Sequence, residues 1–398
     1  MVNRKLRVGV WVPEGFVPAD GGGYSYLKRL LDRLSHYQFH DAEIKFISFN
    51  IEPENFQNTI CHKIHNRIEF NIAERVFNKM RIDPFGRIKQ KKKRQKKELS
   101  SIIDVIYYPL PTNGVKELIH NFPFICTLWD MSYLSTYPFP EFSMNGEYEH
   151  RSYHFEEVLS KALMIFAESN AGKEAAEKIL KIDSSKISVV PLSAADFVSS
   201  QCGCQRPQLL NESDFFIHYP AQFWPHKNHY NLILAFVFIR KHFPSIKLVL
   251  SGSDKGNKPY ILQLISELGL QNSIVDLGFV SKEELKWVYL NSKGLVMPTF
   301  LGPTNMPLLE AAGLNCPVAC SDFAGHREQL GDYAYYFNQA SFESISETVI
   351  KMLQNDNSRR REFSNKTFTI ENAMNELNKN FSAIKNVRFC WGDFDEIF

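Results

Sequence analysis

Short apolar runs alternate along the chain with longer stretches in which apolar residues recur every three or four positions. A short β-branched run suits a strand buried on both faces, and the 3.6-residue period suits a helix that covers it. The alternation therefore predicts β-α-β units around parallel sheets. The first unit reads Leu6 to Val12 as a strand, Gly21-Gly22-Gly23 as a turn, and then a helix with Leu27, Leu30, Leu31 and Leu34 on one face. Further strands are predicted at Glu43 to Phe49, Val105 to Tyr108, Phe124 to Leu128, Leu163 to Ala167 and Ile187 to Val190. Gln201 to Ser213 lacks apolar periodicity and holds Pro207, so it reads as an interdomain linker.

A second series follows, with strands at Phe215 to Tyr219, Lys247 to Ser251, Ile274 to Leu277, Leu295 to Pro298 and Val318 to Ser321. Its helices run from about Tyr230 to His242, from about Pro259 to Leu268 and from near Pro307. The expected fold class is α/β, with two Rossmann-like, doubly wound domains facing each other across a cleft. Ligands bind such sheets beyond the carboxyl ends of the strands. The domains are expected over residues 1–200 and 205–375.

Length and composition agree: 398 residues, 44% hydrophobic and 23% charged, describe a packed chain of two or three domains. Charge changes the picture locally. The formal balance is +2, yet eight of the eleven residues from Arg87 to Lys97 are basic, leaving 38 basic against 44 acidic residues elsewhere. A globally basic nucleic-acid binder is thereby disfavoured, so no nucleic acid is expected among the partners. The run reads either as a solvated face or as a contact for an anionic surface, with Lys91, Lys92, Lys93 and Arg94 at its centre. Seven cysteines without a Cys-x-x-Cys pair point to reduced thiols and a cytoplasmic setting. The apolar stretch after Arg4, Lys5 and Arg7 is cut short by Pro13 and Glu14, and neither a signal peptide nor a membrane span is expected.

Candidate chemistry sits at strand-to-helix junctions. Gly22 and Gly23 open a helix, where backbone N–H groups can hold a phosphate, although such a turn is equally often structural. Gln222 to His229, Gly278-Phe279-Val280 and Gly302-Pro303-Thr304-Asn305-Met306-Pro307 through Glu310 all fall on the same predicted rim. No histidine, cysteine or carboxylate spacing typical of a metal site occurs, so neither a metal nor another cofactor is expected. Asp393-Phe394-Asp395 resembles a metal-binding pair, but it follows no strand and reads as a chance match.

These junctions, with Glu283-Glu284-Leu285, Glu310-Ala311-Ala312, Cys316-Pro317-Val318, Ser321-Asp322 and Glu328, give the chain a resemblance to family-4 retaining glycosyltransferases of the GT-B fold. The resemblance runs over nearly the whole length. It implies that Lys227 neutralises a nucleotide diphosphate, that Glu310 accepts a ribose hydroxyl, and that Gly278 to Val280 lies against the base. It also implies that Thr304, Asn305 and Met306 turn backbone amides toward the donor sugar, and that a final helix, 376–398, returns to the first domain. Two positions depart from the pattern: Gly302 stands where a first glutamate would fall, and Gln222 where an arginine is usual. Trp129-Asp130 replaces the His-Asp of other members, with Tyr133 just beyond. The indole reads either as an acceptor-side stacking surface or as a core residue, with Asp130 as a hydroxyl acceptor and charge-balancing group or as an N-cap.

The implied reaction transfers a sugar, with retention, from a nucleotide sugar to a hydroxyl of a glycan or lipid-linked acceptor in cell-surface polysaccharide or lipopolysaccharide synthesis. Its catalytic groups would be Lys227, Asp130 and Glu310, and the protein would sit peripherally on the inner face of the membrane. An epimerase or phosphorylase on the same architecture, or a carbohydrate-binding remnant, are the competing readings.

Overall fold

The computed structural model describes residues 4–14, 22–49, 61–80, 82–110, 122–198, 202–355, 363 and 365–392. The first sheet is seven-stranded, in the order β3-β2-β1-β4-β5-β6-β7. Its strands are β1 Leu6–Trp11, β2 Ala42–Ser48, β3 Cys61–Lys63, β4 Val105–Tyr108, β5 Phe124–Leu128, β6 Met164–Ala167 and β7 Ile187–Val189. The second is six-stranded, in the order β10-β9-β8-β11-β12-β13. It comprises β8 Phe216–Pro220, β9 Lys247–Ser251, β10 Ile274–Asp276, β11 Leu295–Met297, β12 Val318–Ser321 and β13 Tyr335–Phe337. Every adjacent pair is parallel. The order reverses beside β1 in one sheet and beside β8 in the other, and a crevice forms at each reversal. The two-domain α/β expectation holds, and the strands missed by the sequence pattern, β3 and β13, are edge strands of three residues each.

Apolar side chains fill both faces of each sheet, which is why the central strands lack polar alternation. Leu6, Val8 and Val10 pack under helix α1, Gly22–His36, while Trp11, Ile106 and Phe124 pack on the opposite face. In the second domain the larger core gathers Ile217, Tyr219, Leu232, Phe236, Leu295 and Val318.

Two boundaries differ from expectation. The stretch expected as a linker is docked on the second domain: Lys286 donates to the Cys202 carbonyl at 3.0 Å, Gln205 N–H donates to the Glu283 carbonyl, and Leu210 is buried against Phe216 and Trp287. The returning helix spans Ile370–Phe389, and Ile370, Met374, Leu377, Phe381 and Ile384 belong to the first domain's core, so the crossing precedes residue 370 rather than 376. The Asp393-Phe394-Asp395 match lies outside the described residues.

Candidate functional site

The carboxyl ends of the two sheets confront each other. After β8 the chain turns through Ala221 to Asn228, and Asn228 takes a left-handed conformation, φ 61°, that an Asx side chain tolerates. Its amide nitrogen donates to the carbonyls of Pro298 and Gln339, each at 2.8 Å, and the Tyr219 hydroxyl donates to the Lys227 carbonyl at 2.9 Å. Lys227 is thus carried on a backbone fastened at both ends. Burial pulls its ammonium down to about 8, against the opposing pull of Asp130 and Glu141 from the other domain.

Glu141, in the single turn Pro140–Ser143, reaches across to the residue before Lys227. Its Oε1 accepts from the His226 backbone N–H at 3.0 Å and from the His226 ring. Burial raises the Glu141 carboxyl, and these hydrogen bonds outweigh it, leaving the group below its ordinary range. Burial lowers His226 despite Glu141, so the pair is a carboxylate receiving N–H from a neutral imidazole. Glu141 Oε2 is buried and accepts no hydrogen bond among the described residues. Phe139, Phe142 and Phe300 surround this contact.

The loop before helix Met306–Gly313 is the second fixed element. Gly302 adopts φ +100°, and a Cβ there would lie 2.8 Å from the Asn305 side-chain nitrogen, so the glutamate missing from this position is excluded by the turn itself. Gly325 lets helix Ala324–Leu330 press on the same loop, since a Cβ would fall 1.6 Å from the Pro303 carbonyl oxygen. Asn305 N–H donates to Gln329 Oε1 at 3.0 Å, so this amide, expected to face a donor, is engaged within the domain. The Asn305 side-chain amide also donates to His326 Nε2 at 2.9 Å, and His326 Nδ1 donates to the Ser321 carbonyl at 2.8 Å. Burial pulls that ring down to about 4 and keeps it neutral, in agreement with one nitrogen donating and one accepting.

Across the cleft, Thr304 Oγ1 donates to Glu168, the first residue past β6. Burial pushes the Glu168 carboxyl up to about 8, with Thr304 opposing and Asp130 reinforcing the shift. Glu310, on the helix that begins at Met306, is buried and accepts from the Tyr289 hydroxyl at 3.0 Å. Burial lifts it to about 7, against Tyr289 and Arg29. Helix α1 starts opposite the loop: a Cβ on Gly22 would stand 3.0 Å from Met306 Cε. Gly23 continues that first turn. Two helix N-termini, neither with an acidic residue in its first turn, therefore meet at the cleft.

The structure brings Gly22, Asp130, Lys227, Thr304, Asn305 and Met306 to this cleft, with Glu310 behind. Gln222 lies on the rim, donating to Ser253 Oγ at 3.2 Å and accepting from the Trp224 indole at 3.0 Å. Gly278, at φ +65°, joins it through the Gly252 N–H, which donates to its carbonyl, and Val280 follows half-buried.

Other expectations are corrected. Trp129 donates to the Pro109 carbonyl at 3.1 Å and packs edge-on against Tyr26, the core role weighed for it. Tyr133 is buried beside Phe155 in the core on the far face of the first sheet, so it is no acceptor contact. Lys91 and Lys92 bond Glu74 and Asn78 instead of standing free like the exposed Lys93 and Arg94. Sequence reasoning missed Glu141, Glu168, His226 and His326, and gave no role to Glu328. Glu328 accepts from the backbone N–H groups of Asn170 and Ala171, at 2.8 and 2.9 Å, and so caps helix Asn170–Leu180 of the other domain. Pro140-Glu141 and His226 stood beside recognised motifs, whereas Glu168 had only its place after a strand.

Residues 205–368 match the family described as Glycosyl transferases group 1. O-antigen chain mannosyltransferase B of Escherichia coli is 24% identical over 233 residues, which are 56% of this chain and 60% of that protein. O-antigen chain mannosyltransferase RfbU of Salmonella typhimurium is 29% identical over 169 residues, 42% of this chain and 44% of that one. The chain thus spans about half the length of the curated relatives it matches. The Anabaena Alr3699/HepE structure in complex with UDP and glucose superposes with a TM-score of 0.63 at 14% identity, covering 95% of this chain and 100% of that one. Residues 205–368 thus resemble a glycosyl transferases group 1 domain, and the two parallel, doubly wound sheets with facing carboxyl ends share the GT-B fold of that solved structure.

Proposed function

We propose that the protein is a retaining glycosyltransferase that moves a sugar from a nucleotide-sugar donor to a hydroxyl of a glycan or lipid-linked acceptor in cell-surface polysaccharide or lipopolysaccharide synthesis. The observation that carries this reading is the meeting of two helix N-termini, at Gly22 and Met306, in the cleft that holds Lys227. A diphosphate set there finds backbone N–H groups, two positive dipole ends and a cation, the groups a leaving phosphate needs as charge accumulates on it. Asp130 faces the same cation from the acceptor side and balances positive charge at the anomeric carbon. The leaving phosphate oxygen itself takes the acceptor proton, so catalysis rests on positioning and electrostatics. Glu310 holds the nucleoside ribose. The names of the two relatives supply the sugar we propose, a mannosyl unit, and the acceptor class.

The test is a thermal-shift panel of nucleotide sugars, in which nucleoside-diphosphate mannose in guanosine and uridine forms is compared with glucose and galactose donors. The mannose donor should raise the melting temperature most and release free nucleoside diphosphate only with acceptor present. The product's anomeric configuration, read by NMR, should match the donor's. Phosphate-dependent cleavage, or binding without turnover, would sink the reading.

A further inference from the structure

Helix α2, Ile72–Lys79, inverts the usual layout of a surface helix. Among its described side chains the buried one is Glu74, 7% exposed, while Ile72, Val76 and Met80 stand 84%, 49% and 63% exposed. Recurring every fourth residue, these three form one stripe along the helix and its C-cap. Polar contacts hold it that way round. Asn71 and Glu74 make a reciprocal capping box, Lys91 Nζ bonds the Glu74 carboxylate at 2.7 Å, and Lys92 Nζ donates to Asn78 at 3.0 Å. Both lysines come from helix α3, Arg87–Ile102, which buries Ile88, Gln95 and Leu99 in the domain and so anchors the pair. The turn between the helices adds Ile82 and Phe85, 45% and 73% exposed.

Contiguous exposed apolar side chains on a soluble domain mark a contact site. Charge says which kind. Arg87, Lys89, Lys93, Arg94 and Lys97 are exposed along α3, and α3 carries no carboxylate before Glu98, which is itself bonded to the backbone of His65 and Asn66. Two acidic groups flank the hairpin: Asp83, which accepts from the Lys89 N–H, and the exposed Glu69. An apolar stripe bordered by long cationic side chains is the pattern of a helix lying in a membrane interface.

We propose that the α2–α3 hairpin docks on an anionic bilayer, with Ile72, Val76, Met80 and Phe85 entering the boundary between headgroups and acyl chains and the five α3 cations meeting the headgroups. The face stands on its own geometry and deepens the lipid-linked acceptor proposed above without depending on it. Lys91 and Lys92 serve as internal fasteners and are not headgroup contacts.

The test is flotation with phosphatidylcholine vesicles and with vesicles one-third phosphatidylglycerol, at low and high salt and without any sugar donor, so that its result is separable from the test of activity. Wild type should float with the phosphatidylglycerol vesicles and stay partly bound in high salt. Ile72→Ser/Val76→Ser/Met80→Ser should bind about tenfold more weakly and be wholly released by salt, since its remaining attraction is screened. Lys89→Ser/Lys93→Ser/Arg94→Ser/Lys97→Ser should lose the initial binding. Phe85→Ser, in the turn, repeats the apolar test outside the helix should the triple variant melt early. Equal binding by wild type and the apolar variants overturns the proposal, as does a wild type that floats with no vesicle. A chain that binds immobilised polyglutamate yet no vesicle would assign the face to an acidic protein and overturn it too.

Discussion

On the C-terminal bank of the cleft, Lys227 and Asn305 are fixed from within their own domain, through Tyr219, Asn228, Gln329 and His326. On the N-terminal bank, Glu141 and Glu168 find their hydrogen-bond partners in His226 and Thr304, across the cleft. One bank is therefore complete before the domains meet, and the other is finished by the meeting. The ionisation states follow the same division. Asp130 and Glu141 prop up the Lys227 cation against burial, and His226 holds the Glu141 charge, so opening the cleft alters charges on both sides.

The sharpest way to separate the banks is Lys227→Ala. Removing the cation should cost about a hundredfold to a thousandfold in kcat and much less in KM, because in the proposed reaction a leaving diphosphate would gain its extra charge only in the transition state. Wild-type turnover in this variant would remove Lys227 from the site. On the opposite bank, Glu141→Gln should lower kcat/KM about tenfold, the scale of one lost charge-assisted contact. It should also move the basic limb of the kcat/KM profile. In wild type that limb should fall with the Lys227 cation near pH 8, and loss of a neighbouring negative charge should shift it to lower pH. An unmoved limb would make Glu141 a structural clasp alone.

Glu310→Ala should raise the donor KM by about fivefold with a smaller change in kcat, as a ribose hydrogen bond changes little along the reaction. Glu168 offers a stability test instead. Its folded-state carboxyl is raised to about 8, so the folded protein binds the extra proton between the ordinary glutamate range and pH 8, and this contribution to stability is lost as pH rises through that window. Glu168→Gln should flatten the decline in melting temperature across the window, and an unchanged slope would contradict the shift. The smallest expected effect is none: activity should survive EDTA, since in the proposed mechanism Lys227 and the two helix ends would carry the charge compensation. Loss restored by magnesium or manganese would reverse that expectation.

The C-terminal bank was legible in the sequence because a strand, a glycine or proline turn and a helix start within a few residues of one another. Local order then places Lys227, Thr304 and Asn305 with no knowledge of the rest. Glu168 and Glu141 were not legible as site residues, because their positions depend on Thr304 and His226, more than eighty residues away in each case. Trp129 and Tyr133 show the converse. An aromatic residue beside a strand end can turn toward ligand or core, and only the packing of Tyr26 and Phe155 decides. Helix α3 was read correctly as a basic element, but nothing in its own run reveals that two of its lysines hold a neighbour whose apolar side faces out.

The helix Ile370–Phe389 has a consequence for how the protein is made. The Phe381 ring packs 5.2 Å from Phe39 and edge-on 6.3 Å from Tyr107, and Arg388 donates to the Asp104 carbonyl, so this helix is one wall of the first domain's core. During synthesis, domains ordinarily fold in the order in which they emerge. Here the first domain emerges early but lacks a wall until the whole of residues 205–368 has been translated. The second domain's core, drawn almost entirely from its own segment, can close first. The older half of the chain thus waits for the younger, and a ribosome that stalls before residue 370 leaves the second domain formed and the first with Phe39 and Tyr107 uncovered.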